Sequence, residues 1–347
     1  MKKIILSGFT ALVFLACSKD DDNPDTYLPP AFEKGILVTN EGPFNNGSGN
    51  VTYISNDYAT VAQNIFKAVN GYDLGNIVQS MGFQDENAYI VVSNSKKIEI
   101  ANRYTFESVD SIISGLTNPR YFASVGNKGY VSDWGDPNDY TDDYLAVVDL
   151  RTNDIAATIP VAFGPERMAV SNNKVYVAHQ GAYGQNNLIS VISGASVEKT
   201  ITVGDVPNSL VADGNFLYVL CGGNPVYTGS ETAGSLVKID MATGQVAQTF
   251  TFGVNQHPSS LTMDGTKLYY NLDGKVYQLN TSAITLPGTG IIDGFFYTLQ
   301  AKNGLLYATD AKDFASRGSL FVFDLATNQQ LQEVEVGIVP GGIYFNE

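Results

Sequence analysis

Apolar runs of four to six residues recur along the chain, each cut short by a tight polar turn. One set reads YVSDW (130–134), VYVAH (175–179), LYVLC (217–221), LYYN (268–271) and LYATD (306–310). A second set follows it as LAVVDL (145–150), LISVI (188–192), LVKID (236–240), VYQLN (276–280) and LFVFD (320–324). Short runs rich in β-branched and aromatic residues, bounded by Gly, Asn and Asp, read as strands. The turns before the first set include Gly126-Asn127-Lys128-Gly129, Ser171-Asn172-Asn173, Asp213-Gly214-Asn215 and Asp264-Gly265-Thr266.

Upstream of the pairs lies a frame of proline, two variable residues and an apolar position. It reads Pro119-Arg120-Tyr121-Phe122, Pro165-Glu166-Arg167-Met168, Pro207-Asn208-Ser209-Leu210, Pro258-Ser259-Ser260-Leu261 and Pro340-Gly341-Gly342-Ile343. Val78-Gln79-Ser80-Met81 and Phe296-Tyr297-Thr298-Leu299 fill the frame without the proline. The first four prolines are spaced by 46, 42 and 51 residues, and the gap of 82 to the last has room for one more unit. Four antiparallel strands in about 45 residues form a propeller blade, which must stack on its neighbours to bury its faces. The expected fold is therefore all-β: a seven-bladed β-propeller over residues 31–347. Its last unit has only one strand, after Pro340. Strands at 36–40, 51–55 and 61–66 supply the rest, so N- and C-terminal strands close one blade and remove an open edge.

The pattern resembles the YVTN-repeat, or YncE-like, propeller family over nearly all of residues 31–347. The motif is loose, so the resemblance implies a fold and says little about function.

Composition agrees with an all-β chain: 44% of residues are hydrophobic, 16% are charged, and there are 34 Gly, 20 Tyr and 18 Phe. The formal net charge is −15, and −17 without Lys2 and Lys3. Such a chain is repelled by phosphate backbones, which argues against a nucleic-acid partner. Two cysteines exclude a disulfide framework.

Residues 1–16 combine a basic start with an apolar run too short to span a bilayer comfortably. Phe14-Leu15-Ala16-Cys17 resembles a bacterial lipobox, with Phe14 where leucine is more usual. This implies a signal peptide over 1–16 and lipidation at Cys17, so that contact with the membrane is through a lipid anchor only. Cleavage elsewhere would instead release a soluble periplasmic protein. Ser18-Lys19-Asp20-Asp21-Asp22 resembles the acidic tag that sends lipoproteins of the Bacteroidota to the outer face of the outer membrane. The acidic, Pro-containing stretch 17–30 then reads as a linker. Cys221, within an apolar run, reads as a small buried hydrophobe.

Strand direction alternates within a blade, so the loop between its second and third strands shares a face with the links between blades. The long loops fall there, at 41–49, 135–143, 181–187, 223–234 and 311–318; those at 94–96 and 272–274 are minimal. Three adjacent long loops face two others, which predicts a trough. Its walls would carry Phe44, Trp134, Tyr140, Tyr183, Tyr227 and Phe314, and its floor Gln79, Arg120, Arg167, Asn208 and Ser259. Aromatic walls with amide and guanidinium donors suit a large, partly apolar ligand. Packing of the loops against each other is the other reading of these rings.

His179 and His257 are the only histidines, at no metal-ligand spacing. No nucleophile elbow or glycine-rich phosphate loop is present. His257 precedes Pro258 and reads as a polar residue at the channel mouth. The loop 133–143 holds five aspartates, a set that suits Ca²⁺ or a plain solvated loop. Glu333 and Glu335 read as one exposed strand face. No other cofactor is indicated.

Propellers of the resembled type include Bacteroidota surface lipoproteins that seize cobalamin and pass it to a TonB-dependent outer-membrane transporter. Signal, acidic tag, length and blade pattern are similar here, which implies corrinoid capture at the cell surface. An interaction module for protein, peptide or glycan is the alternative. An enzyme would need a base and an electrophilic helper at the channel mouth. Only His257 with Arg120 or Arg167 is available, so the chain reads as a binding protein.

Overall fold

The computed structural model describes residues 31–44 and 46–347; the expected signal, Cys17 and the linker to residue 30 lie outside them. The described residues form seven four-stranded antiparallel sheets, the blades of a β-propeller. Blade 1 runs inside to outside as Pro340–Asn346, Gly35–Asn40, Asn50–Ser55 and Val61–Ala62. Blades 2 to 7 follow in chain order. Their innermost strands are Val78–Gln84, Pro119–Val125, Pro165–Ser171, Pro207–Ala212, Ser259–Asp264 and Thr298–Lys302.

The chain ends meet as expected: Ile36 pairs with Phe345, Leu37 with Tyr344 and Val38 with Ile343. One correction falls in this blade. Its outermost strand stops at Ala62 instead of running to Phe66. Asn64 turns left-handed (φ 50°) and starts a short helix, Ile65–Asn70, closed by the Gly71 N–H on the Lys67 carbonyl. The helix buries Ile65 and Phe66 against Leu74 and Phe106, so the apolar run is spent on a helix face.

The core is divided among the blade interfaces. Alternation along Gly35–Asn40 sends Leu37 to the cluster shared with blade 2, and Ile36 and Val38 to the cluster shared with blade 7. The same division repeats in blade 2, where Ala88, Ile90 and Val92 face blade 1 and Tyr89 and Val91 face blade 3. Middle strands are buried on both sides, which explains their unbroken apolar runs. Cys221 lies in the cluster between blades 4 and 5, where burial pushes its thiol up to about 12.

Asn40 latches the closure. Its Oδ1 accepts the buried Gly337 N–H of blade 7 at 2.8 Å, and its Nδ2 donates to Thr52 Oγ1 at 3.0 Å and Asn50 Oδ1 at 2.9 Å. Removing one partner leaves the other buried and unsatisfied. Asn40→Ala is expected to cost about 2 kcal/mol in urea-induced unfolding; a midpoint equal to wild type would show that Asn40 does not secure the ring.

Candidate functional site

Backbone hydrogen bonds tie the long loops to the links between blades. Gly49 donates to Gly75, Trp134 to Asn118, Gly181 to Gly164, Gly222 to Val206 and Gly234 to Gln256. The minimal loops are tied likewise, through Ser93 to Ile77 and Gly294 to Gly274. All of these segments therefore gather on one face. In blade 4 the approach is so close that a Cβ on Gly164 (φ +67°) would collide with the Gly181 backbone.

At this face the inner strands carry an extra residue. Pro119 pairs with Asp133 and Phe122 with Val131, so three steps face two. Blade 4 shifts in the same way between Pro165 and Met168, and blade 6 between Ser259 and Thr262. A bulge of this kind re-aims side chains. Consecutive residues here both reach the axis: Arg120 with Tyr121, Glu166 with Arg167, and Ser259 with Ser260.

The result is a polar well of about 290 Å³ at the mouth of the central channel. It brings together Gln79, Arg120, Arg167, Asn208, Ser259 and Trp134, all named from the sequence. It also holds Glu41, Tyr121, Glu166, Gln180 and Tyr297, which sequence reasoning missed. The frame of each inner strand pointed to Glu166 and Tyr121, but the bulge that turns both frame positions inward leaves no clear mark in the sequence. Below the well a second cavity of about 230 Å³ continues along the axis, sharing Tyr121, Arg167 and Ser260 with it.

Charges in the well are specifically arranged. Arg120 Nε donates to Glu166 Oε1 at 2.9 Å, and its guanidinium lies 4.0 Å from the Trp134 ring centroid. Trp134 Nε1 donates to the Pro165 carbonyl at 3.1 Å, fixing the ring across blades 3 and 4. Burial raises the pKa of Glu166 while Arg120 and Arg167 draw it down. Glu41 is likewise raised by burial and accepts the Tyr297 hydroxyl at 3.0 Å. Asn208 Nδ2 donates to the Pro258 carbonyl at 2.8 Å.

The other expected wall residues stand on the rim, outside the well. Phe44, Tyr140, Tyr183, Tyr227 and Phe314 are all exposed, Tyr227 at 82%. Three also pack locally: Tyr140 on Phe163 at 4.0 Å, Tyr183 on Trp134 at 6.1 Å and Phe314 on Tyr297 at 5.6 Å. His257 does not line the well. Its Nδ1 lies 2.7 Å from the Gly222 carbonyl and its Nε2 3.2 Å from Glu231 Oε1, within a neighbouring hollow beside Phe295 and Phe296.

Each aspartate of this loop accepts a backbone N–H, from within the loop or from the adjoining links. Asp133 accepts from Thr117, Asn118 and Gly135; Asp136 accepts from Asn138, Asp139 from Thr141, and Asp142 from Asp136. Among the described residues no three His, Cys, Asp or Glu side chains converge as a metal site. His179 is buried, with Nε2 on Ser190 Oγ at 2.8 Å, and burial lowers it to about 4, so it is neutral at pH 7. Glu333 and Glu335 are exposed, as expected.

A family model described as a domain of unknown function (DUF5074) matches residues 34–294. No curated protein matches the sequence. Among solved structures, the fold is similar to a protein assigned as a 6-phosphogluconolactonase from Bacteroides uniformis ATCC 8492, with a TM-score of 0.64, 16% identity and 90% of this chain and 99% of that one covered. It is also similar to the dihydro-heme d1 dehydrogenase NirN in complex with DHE, with a TM-score of 0.56, 13% identity and coverage of 92% and 77%. BamB from Moraxella catarrhalis has a TM-score of 0.53, 14% identity and coverage of 89% and 85%. At these identities the likeness shows the fold alone.

Asp143 makes this face pH-sensitive. Its Oδ1 accepts the Gly164 N–H at 2.7 Å, while Oδ2 is buried without a partner. Burial raises its carboxyl from 3.8 to about 7, and Asp142 and Asp133 add to the rise. The folded chain thus holds this proton more tightly than the unfolded chain. Its contribution is complete below about pH 4 and is lost as pH rises through about 7. Asp143→Asn is expected to flatten this part of the pH profile of thermal unfolding; an unchanged slope would show that other groups set it.

Proposed function

The chain belongs to the family described as domain of unknown function DUF5074, and from that premise we propose that it is a ligand-capturing propeller rather than an enzyme. The observation that carries this reading is the assembly of one polar well under one exposed aromatic rim. The rim supplies apolar contact area, and the well supplies directional donors and acceptors. A rigid scaffold with binding segments collected on one face is a common arrangement for capture.

The ligand class we put forward is a corrinoid, delivered to a TonB-dependent transporter from a lipid-anchored site on the outer membrane. A well of about 290 Å³ admits a side group of such a molecule, not its ring. The ring would lie across Trp134, Tyr183 and the opposing Phe314. Capture also fits the chemistry of the site. His257 stands outside the well, engaged by Gly222 and Glu231, and the two carboxyls inside it are already held, Glu166 by Arg120 and Glu41 by the Tyr297 hydroxyl.

A second reading, docking of a protein, peptide or glycan, is favoured by a shallow hollow beside the well. Phe295, Phe296, Tyr297 and Phe314 line it, and Phe295 is 83% exposed. Exposed rings of this kind are common at interaction surfaces.

Gel filtration of the purified protein with micromolar cyanocobalamin tests the first reading. Co-elution of the coloured ligand is expected, and Trp134→Ala is expected to weaken it by roughly tenfold, as for loss of an anchoring aromatic. Absence of co-elution would remove the corrinoid and leave the second reading.

A further inference from the structure

Arg167 and Tyr121 line both the well and the cavity beneath it. The Arg167 guanidinium lies over the Tyr121 ring, 5.0 Å from its centroid. The other charged groups nearby are engaged: Arg120 with Glu166, and Glu41 with the Tyr297 hydroxyl. Among the described residues no hydrogen bond or ion pair reaches the Arg167 guanidinium or the Tyr121 hydroxyl. Neither group is sealed from solvent. The site thus offers an unpaired cation and a free phenol, side by side, facing the same space.

We propose that Arg167 and Tyr121 form the seat for a carboxylate carried by the ligand, which enters along the propeller axis from the loop face. The guanidinium presents paired N–H groups that match the two oxygens of a carboxylate, and the phenol adds a third donor. A cation in a confined, partly desolvated site gains most from an anion that it can hydrogen-bond directly.

Charge limits the anion to one negative unit. Arg120 and Arg167 share the well with the carboxyls of Glu166 and Glu41; Glu166 is ion-paired with Arg120 and Glu41 accepts the Tyr297 hydroxyl, so Arg167 is the cation without a paired carboxylate. With Glu166 matched to Arg120, a single positive charge is left for the ligand. A phosphate dianion would bring a second negative charge beside Glu166 and Glu41. The whole chain carries a net charge of −15, so attraction is local and does not extend beyond the Debye length of roughly 10 Å.

This assignment rests on the loop face being the binding face and is independent of corrinoid capture: cyanocobalamin, whose side groups are amides, would not occupy the carboxylate seat. Trp134 is the chain's single tryptophan and lines the well, so its emission reports on occupancy. The probes are isobutyrate, its neutral counterpart isobutyramide, and inorganic phosphate, at constant ionic strength. A saturable change with isobutyrate, none with isobutyramide and a weaker one with phosphate is the expected result. Arg167→Gln should weaken isobutyrate binding by roughly tenfold or more, as for loss of a charged hydrogen bond, and Tyr121→Phe by less. Arg151→Gln, at a surface turn, should leave it unchanged. Isobutyramide or phosphate binding as tightly as isobutyrate would overturn the proposal on the wild-type protein alone, whether or not the variants fold. So would unchanged binding by a folded Arg167→Gln. Cyanocobalamin co-elution without an isobutyrate response removes the carboxylate seat and keeps corrinoid capture. The reverse result removes the corrinoid and keeps the seat.

Discussion

The structure depends on the ladder between the two ends of the chain. Pro340–Asn346 lies innermost in blade 1 and pairs along Gly35–Asn40. A propeller has no central core, only interfaces between neighbouring blades. Each apolar cluster is complete only when both flanking blades are in place, and the cluster of Ile36, Val38, Tyr307 and Val336 exists only if the ring closes. Closure therefore fixes the spacing of all the inner strands. The well is made from the mouths of those strands, so its geometry is a property of the ring and not of any one blade.

Neighbouring inner strands are not paired by a sheet ladder, and side chains from the first or second strand of one blade reach the inner strand of the next near the axis instead. Ser80 donates to the Arg120 carbonyl, Ser132 to Glu166, Thr309 to Pro340, and Asn208 to Pro258. The first two bonds satisfy the carbonyls of Arg120 and Glu166, which lie inside the bulges. They also leave the second side chain of each bulge to face the channel. Backbone irregularity and site polarity thus have one cause. The Arg120–Glu166 pair spans two blades in the same way, and Trp134 covers it from the loop of blade 3.

Much of this was legible in the sequence, because blade periodicity is a hydrophobic signal. Apolar runs, polar turns and the recurring proline identified the blades, the closing strand and the face that carries the long loops. Gln79, Arg120, Arg167, Asn208, Ser259 and Trp134 do meet in one well. What was not legible depends on local backbone choices. The bulges that bring in Glu166 and Tyr121 come from a one-residue mismatch between strands, which composition does not encode. The helix Ile65–Asn70 replaced a strand because Asn64 adopts a left-handed conformation. His257 looked like a mouth residue by its position before Pro258, yet hydrogen bonds to Gly222 and Glu231 hold it to one side.

The direction of Gly35–Asn40 has a consequence for orientation. Asn40 leads into the loop 41–49, at the rim, so Gly35 lies at the far end of the disc. Phe32 packs there against Phe106, in a turn of the face opposite the well. Whatever precedes Ala31 therefore joins the propeller from behind. A tether on that side would leave the mouth and its rim unobstructed.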